Sequence, residues 1–341
     1  MPLDYRSLLQ TPDAWPRVLG VITCKILRKD EPPYKERFKR VIETIATPAF
    51  CDFVNHNELY VVSTAGSYDR LDLFWCRYPS VEVRKCRVEA SAPGVIQIAN
   101  LVVFGFCRAI LFFNDSEDLY ADSPQNLALR RICNEFNVPL VEDVASIEYL
   151  LSRWKTDFQL KSSYAQVPET YPTEALAAYF GDDRVLERGQ VGQDRSQETL
   201  AIIAHDGQKM EMLRFCAKHI HEILAYRRVL TTGTTGEKLR DLYNELLTLG
   251  DLWRSFDLAR REDIGDFVKR KICPFKSGPK GGDIQISAKI VEGSCHRVIF
   301  FEDPKSAHPH QFDVRLLEKA VQSYSTPTLF ATSNEMAELI V

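Results

Sequence analysis

A chain of 341 residues is long for one compact domain and comfortable for two. A hydrophobic share of 45% beside 26% charged residues is that of a globular protein able to bury a sizeable core. The net charge is only −4 with both signs mixed throughout, which gives no electrostatic reason to expect nucleic acid or an anionic membrane as partner.

In chain order, the first residues, Met1 to Arg6, lack the basic-then-apolar run of a signal peptide. Nine cysteines are scattered from Cys24 to Cys295 without a CxxC pair, so neither a zinc ribbon nor a redox motif is expected. Several lie in apolar stretches and read as buried, reduced thiols, which fits a cytoplasmic location. Val95 to Phe113 is apolar over the length of a membrane span, but Gln97, Asn100, Gly105 and Arg108 interrupt it. A helix followed by a strand is expected there instead.

That segment has a distant copy. Residues 95–115 read VIQIANLVVFGFCRAILFFND and residues 283–303 read DIQISAKIVEGSCHRVIFFED, and the offset of 188 holds without a gap from there to Pro139 and Pro327. Upstream, ELYVVSTAGSYDRL (58–71) echoes YRRVLTTGTTGEKL (226–239), and PRVLGVITC (16–24) more loosely echoes ETLAIIAHD (198–206). Three elements in the same order point to a duplication. In the second copy, short β-branched runs at Leu200–Ala204, Arg228–Thr231, Arg297–Phe301 and Thr328–Ala331 alternate with stretches of helical spacing such as Gln208–Tyr226 and Phe312–Tyr324. This alternation predicts an α/β fold with two tandem domains, each a doubly wound, mainly parallel sheet flanked by helices. Boundaries are expected at 1–154 and 199–341. The segment 155–198, rich in Pro, Ser, Gln and charge, reads as a linker with one short helix around Thr173–Phe180.

Ligands of such folds bind at the carboxyl ends of the strands, and four polar clusters of the second copy fall there. His205-Asp206-Gly207-Gln208-Lys209 ends one strand. Thr231-Thr232-Gly233-Thr234-Thr235-Gly236 ends the next, and such a turn serves either as an anion cradle at a helix N-terminus or as a plain cap. Ser277-Gly278-Pro279-Lys280-Gly281-Gly282-Asp283 lets a backbone approach a ligand closely and ends on a carboxylate that is either a reactive group or a helix cap. The last cluster, Phe301 to Asp313, carries His308, His310 and Asp313 without the helical i, i+4 spacing of a metal site.

Together, HDxxK, TGTTG, SGPxGGD and FFxDP…PHxxD resemble, in order, the motifs of the methylglyoxal synthase family, over residues 199–341. By that resemblance Asp283 is the catalytic base, with His310 and Asp313 in the catalytic group. His205, Asp206, Lys209, Thr232, Gly233, Thr234, Thr235, Ser277, Gly278 and His310 line the substrate and phosphate site. The implied reaction converts dihydroxyacetone phosphate to methylglyoxal and phosphate, needing no metal and no cofactor. The implied partner is a small phosphorylated metabolite, and the family's rings of six make a homo-oligomer the expectation. The same fold also serves in regulatory and nucleotide-handling domains, so a non-catalytic sensor of a phosphorylated metabolite is the other reading. The resemblance also implies a terminal segment with an arginine near the phosphate, a contact expected here to be missing or to come from elsewhere, and the stretch between Gly236 and Ser277 is longer than usual, with helices expected at Leu239–Trp253 and Phe256–Ile272.

The first copy has lost these groups. Asp283 corresponds to Val95, His310 to Asp122 and Asp313 to Gln125, TGTTG becomes Thr64-Ala65-Gly66-Ser67-Tyr68, and His205-Asp206 falls opposite about Cys24-Lys25. A valine cannot act as a base, so this copy is expected to be scaffold, assembly surface or sensor. Lys289, Glu292 and Ser294 are Leu101, Phe104 and Phe106 in the first copy, an apolar cluster expected to pack against the other copy or another subunit, the alternative being a slightly larger internal core.

Overall fold

Short apolar runs alternate with helices along the chain, and in the computed structural model the runs come together as two parallel sheets. The structure describes residues 4–10, 17–24, 27, 29–76, 84–115, 117–118, 120–156, 179–181, 183–186, 190–303, 311–322 and 328–341. The chain divides into two compact units, Met1–Tyr171 and Pro172–Val341.

The first unit holds β1 (Val18–Thr23), β2 (Tyr60–Thr64), β3 (Arg84–Val88), β4 (Cys107–Phe113) and β5 (Leu140–Val141) in the order β3-β2-β1-β4-β5. The second holds β6 (Thr199–Ala204), β7 (Arg228–Thr231), β8 (Ile272–Pro274), β9 (Arg297–Phe301) and β10 (Leu329–Ala331) in the order β8-β7-β6-β9-β10. Counted along each unit, the two orders are the same, and every strand pair is parallel. Both sheets are built outward from a central first strand, to one side and then to the other. Right-handed crossovers therefore lay helices on both faces and leave a topological switch point beside the first strand of each unit. The central strands β1, β6 and β9 are buried throughout, as strands covered on both faces must be.

The 188-residue offset has a structural counterpart. An added Cβ at Gly282 would lie 1.9 Å from the carbonyl oxygen of Lys276, and one at Gly94 would lie 1.9 Å from that of Glu89. The side chains of Gln285 and Gln97, one turn further on, each accept a hydrogen bond from the backbone N–H at the same approach, at 2.9 and 2.8 Å. Each unit thus bends its chain the same way from the third strand into the following helix, Ser91–Val103 or Gly282–Val291.

Several expectations need correction. Leu101, Phe104 and Phe106 are buried at 0%, 0% and 2% exposure, so they form core and not an exposed cluster. In place of helices at 239–253 and 256–272, one helix runs Gly233–Thr248, a 3-10 stretch covers Leu249–Phe256, and a second helix begins at Ile264. Asp257, in the left-handed region at φ 53°, breaks the path between them. Ile272, read as the end of a helix, instead opens β8, whose three residues are too few to show a strand period. The linker expected over 155–198 is shorter at its far end, because Tyr179 and Asp183 are buried in the second unit and Glu198 pairs with Arg297 there. Most of the short helix expected around 173–180 lies outside the described residues. Residues 95–113 do form a helix and a strand, and among the described residues no helix is long and apolar enough to cross a membrane. All nine cysteines are free, and all but Cys76 are buried; burial pushes the Cys86 and Cys295 thiols up to about 12.

Replacing Gly282 by Ala is expected to lower the unfolding free energy by about 2 kcal/mol or more, because backbone must move to admit the methyl. Gly265→Ala, where nothing lies within 4 Å of the new Cβ, should leave stability unchanged or raise it by up to about 1 kcal/mol. Urea denaturation of the two variants checks the pair.

Candidate active site

Three of the four clusters converge at the carboxyl edge of the second sheet around a cavity of about 340 Å3. Its floor is Ile203 and Ala204 of β6 with Phe300 of β9, the two strands that flank the switch point. His205, Asp206 and Lys209 follow β6, Thr232 and Thr234 follow β7, and Ser277, Gly278, Pro279 and Asp283 follow β8. The apolar Val314 closes the remaining side.

Asp283 is 2% exposed and stands in the first turn of its helix. The helix is capped by Gly281, whose φ of 88° suits glycine, so Asp283 is not the cap and its carboxylate faces the cavity wall instead. The threonine turn settles similarly. Thr232 occupies the N-cap position without a side-chain cap hydrogen bond, and its hydroxyl donates to Thr235 at 3.2 Å. Thr234 accepts from the Lys209 ammonium at 2.7 Å, and that ammonium also pairs with Asp206. Lys209 is nearly buried while its carboxylate partner is exposed to solvent, which leaves the cation on the inner side of the pair.

His205 is held in one orientation. Its Nδ1 accepts a hydrogen bond of 2.9 Å from the backbone N–H of Asp303, and its ring meets Phe300 edge-on at 4.9 Å. With Nδ1 an acceptor, the neutral ring carries its proton on Nε2 and offers it as a donor. The cavity wall therefore carries a carboxyl group, an imidazole whose Nδ1 is already engaged, an ammonium and hydroxyls.

Of the residues expected from the sequence, Asp283, His205, Asp206, Lys209, Thr232, Thr234, Ser277 and Gly278 share this cavity. Gly233 and Thr235 do not line it. The Gly233 N–H donates to the carbonyl of Lys276 at 3.0 Å, and Thr235 is fully buried beneath Thr232. Asp313 is buried in the helix Gln311–Val321, one residue before Val314, and is not part of the lining. His310 lies outside the described residues. Phe300, Val314 and Asp303 were not among the expected site residues, although Phe300 and Asp303 belong to the FFxDP motif; Phe300 and Val314 line the cavity and Asp303 holds His205.

A curated methylglyoxal synthase from Thermus thermophilus is 35% identical to this chain over 144 residues, covering 42% of the chain and 92% of that protein. The chain belongs to the methylglyoxal synthase family. A relative from Clostridium botulinum is 34% identical over 142 residues and covered to 96%, and one from Agrobacterium fabrum is 34% identical over 131 residues and covered to 84%. The solved methylglyoxal synthase of Elizabethkingia anophelis is 27% identical, with 42% of this chain and 76% of that one covered and a TM-score of 0.30. No family model matches the chain.

Beside the family motif, Lys276 adds a group with its own titration. Burial, reinforced by the positive Lys280, brings its ammonium down from an ordinary 10.5 to about 8. Between about pH 8 and 10.5 the unfolded chain then binds more protons than the folded one, so this residue's contribution to stability is gained as pH rises through that window. Chemical denaturation on either side of it should show the rise in the wild type and its loss in Lys276→Met.

Proposed function

We propose that the second unit is a carbon–oxygen lyase of the methylglyoxal synthase type, acting on dihydroxyacetone phosphate. The observation that carries this reading is the buried Asp283 carboxylate lining the same cavity as the Lys209 ammonium and the Thr232–Thr234 turn. Coverage of 92% of a methylglyoxal synthase of known name supports it.

The chemistry follows from the groups present. Lys209, Thr232 and Thr234 hold the phosphate, placing the rest of the substrate towards Asp283. This carboxylate removes a proton from the carbon that bears the free hydroxyl, which is acidified by the adjacent carbonyl. Negative charge develops on the carbonyl oxygen, and His205 donates its Nε2 proton as a hydrogen bond to it, with His310 joining by resemblance to the family. The hydroxyl on that same carbon then gives up its proton to the phosphate and becomes a carbonyl, and its electrons are pushed through the double bond. The carbon–oxygen bond to phosphate breaks, and phosphate leaves with the bond pair. The remaining enolate takes up a proton at its terminal carbon from the protonated Asp283, giving methylglyoxal and restoring the base. Lys209 stabilises the departing phosphate.

The first unit is proposed as a non-catalytic copy, because Val95 stands where Asp283 stands in the second and is itself buried. A small phosphorylated metabolite is the proposed partner, and the site chemistry assigned here needs no metal or organic cofactor.

Incubation with dihydroxyacetone phosphate is expected to release methylglyoxal and phosphate in equal amounts. Asp283→Asn should reduce that rate by about 10²–10⁴-fold while inorganic phosphate still binds. Wild-type protein that binds phosphate but forms no methylglyoxal would overturn the assignment.

A further inference from the structure

The second unit carries a buried ionic cluster that its fold does not require. Lys289, with no exposed side-chain surface, pairs with Asp183 and, at 3.1 Å, with Glu292. Asp183 also accepts from Arg228 at 2.8 Å, so among the described residues two cations and two carboxylates meet in a largely buried space. Tyr179 completes the cluster. Its hydroxyl donates to Glu292 at 2.6 Å and its ring lies 3.6 Å from the Lys289 ammonium.

The first unit fills the corresponding positions with Leu101 and Phe104, both buried, and needs no charge there. On the same helix of the first unit, Asn100 donates a hydrogen bond to the Tyr5 hydroxyl at 2.6 Å. Apolar packing therefore suffices for the architecture. A buried ion cluster costs desolvation that apolar side chains avoid, and its best-attested use is to fix one arrangement among several. The unit with the charged cluster is also the one with a carboxylate, not a valine, in the first part of the same helix.

Geometry connects the two features. Lys289 and Glu292 stand on and just beyond the helix Gly282–Val291, whose first turn carries Asp283. On its other side the Tyr179 ring packs on Phe275, with centroids 5.4 Å apart. Phe275 is held to β7 by its N–H bond to Thr231 at 2.8 Å, and two residues later the chain reaches Ser277 and the cavity. One side chain thus touches both the loop that supplies Ser277 and the helix that supplies Asp283.

We propose that Tyr179 and Asp183 are positioning residues, a strap from the N-terminal part of the second unit that locks the Ser277 loop and the Asp283 helix into reactive register. The strap touches neither substrate nor cavity. It acts through Phe275 and Lys289, and its effect on turnover rests on the lyase reading above.

The experiment compares Tyr179→Leu, Tyr179→Phe and Asp183→Asn in the full chain, each first shown to be folded by circular dichroism. With dihydroxyacetone phosphate, Tyr179→Leu should lower kcat on the order of 10²-fold, the cost of a misplacement near one ångström. Affinity for inorganic phosphate, set by Lys209 and the threonine turn, should change by less than about threefold in calorimetry. Asp183→Asn, which removes charge but little volume, should show the same split, and Tyr179→Phe, which keeps the ring on Lys289 and Phe275, should recover most of the loss. An unchanged kcat in folded Tyr179→Leu and Asp183→Asn overturns the proposal, as does an equal loss of phosphate affinity. Amide hydrogen exchange keeps the test independent of the reaction. Both substitutions should speed exchange across residues 276–285 and leave β6 and β7 protected. If wild type forms no methylglyoxal, the lyase reading falls, while equal exchange in variant and wild type would overturn the strap itself.

Discussion

The Lys276 carbonyl oxygen occupies space that a side chain on Gly282 would need, and this approach of backbone to backbone directs the rest of the site. It bends the chain sharply out of β8, so the helix starts beside the sheet edge and presents Asp283 in its first turn. It also leaves residues 275–277 lying along the Thr231–Gly233 turn, tied there by the N–H groups of Phe275 and Gly233. Gly233 therefore contributes through its smallness and its N–H to Lys276, and the groups that face the cavity are its neighbours Thr232 and Thr234.

The first unit shows how far backbone geometry and chemistry separate. It keeps the same strand order, the same glycine approach at Gly94 and the same glutamine contact at Gln97. It also keeps a hydroxyl pair at the β2 turn, where Thr64 and Ser67 lie 3.0 Å apart, comparable with Thr232 and Thr235. The carboxylate of Asp283 has no counterpart there, since Val95 stands in its position. Fold survives that exchange because the position is a helix start that valine can occupy, whereas the acid–base capacity of a carboxylate is lost, since a hydrocarbon cannot accept a proton.

Much of the second unit could be read directly. The strands Leu200–Ala204, Arg228–Thr231 and Arg297–Phe301 were legible because each is a short β-branched run bounded by polar residues, and the structure places them within a residue of those limits. β8 was not, because Ile272-Cys273-Pro274 directly follows Lys269-Arg270-Lys271 on a helical pattern and is too short to carry a period of its own. The apolar run Leu101, Phe104 and Phe106 misled for a different reason. A pattern records which residues are apolar but not what covers them, and these three are covered.

The sequence by itself determined the identity and order of the polar groups around the cavity, since a carboxylate, a lysine and threonines at fixed places after successive strands are covalent facts. It also carried the constant offset of 188 between the two similar segments, which needs no folding to be seen. Tertiary structure decided which groups meet. It brought Lys209 to Thr234 across 25 residues and the Asp303 backbone to His205 across 98, and it kept Asp313 out of the cavity while admitting Val314. It alone revealed that Tyr179 and Asp183, in a stretch whose composition reads as linker, are buried against the helix of Asp283. Composition reports local solvation preference, whereas a buried ion cluster depends on partners more than 100 residues away, and those become neighbours only when the sheet is assembled.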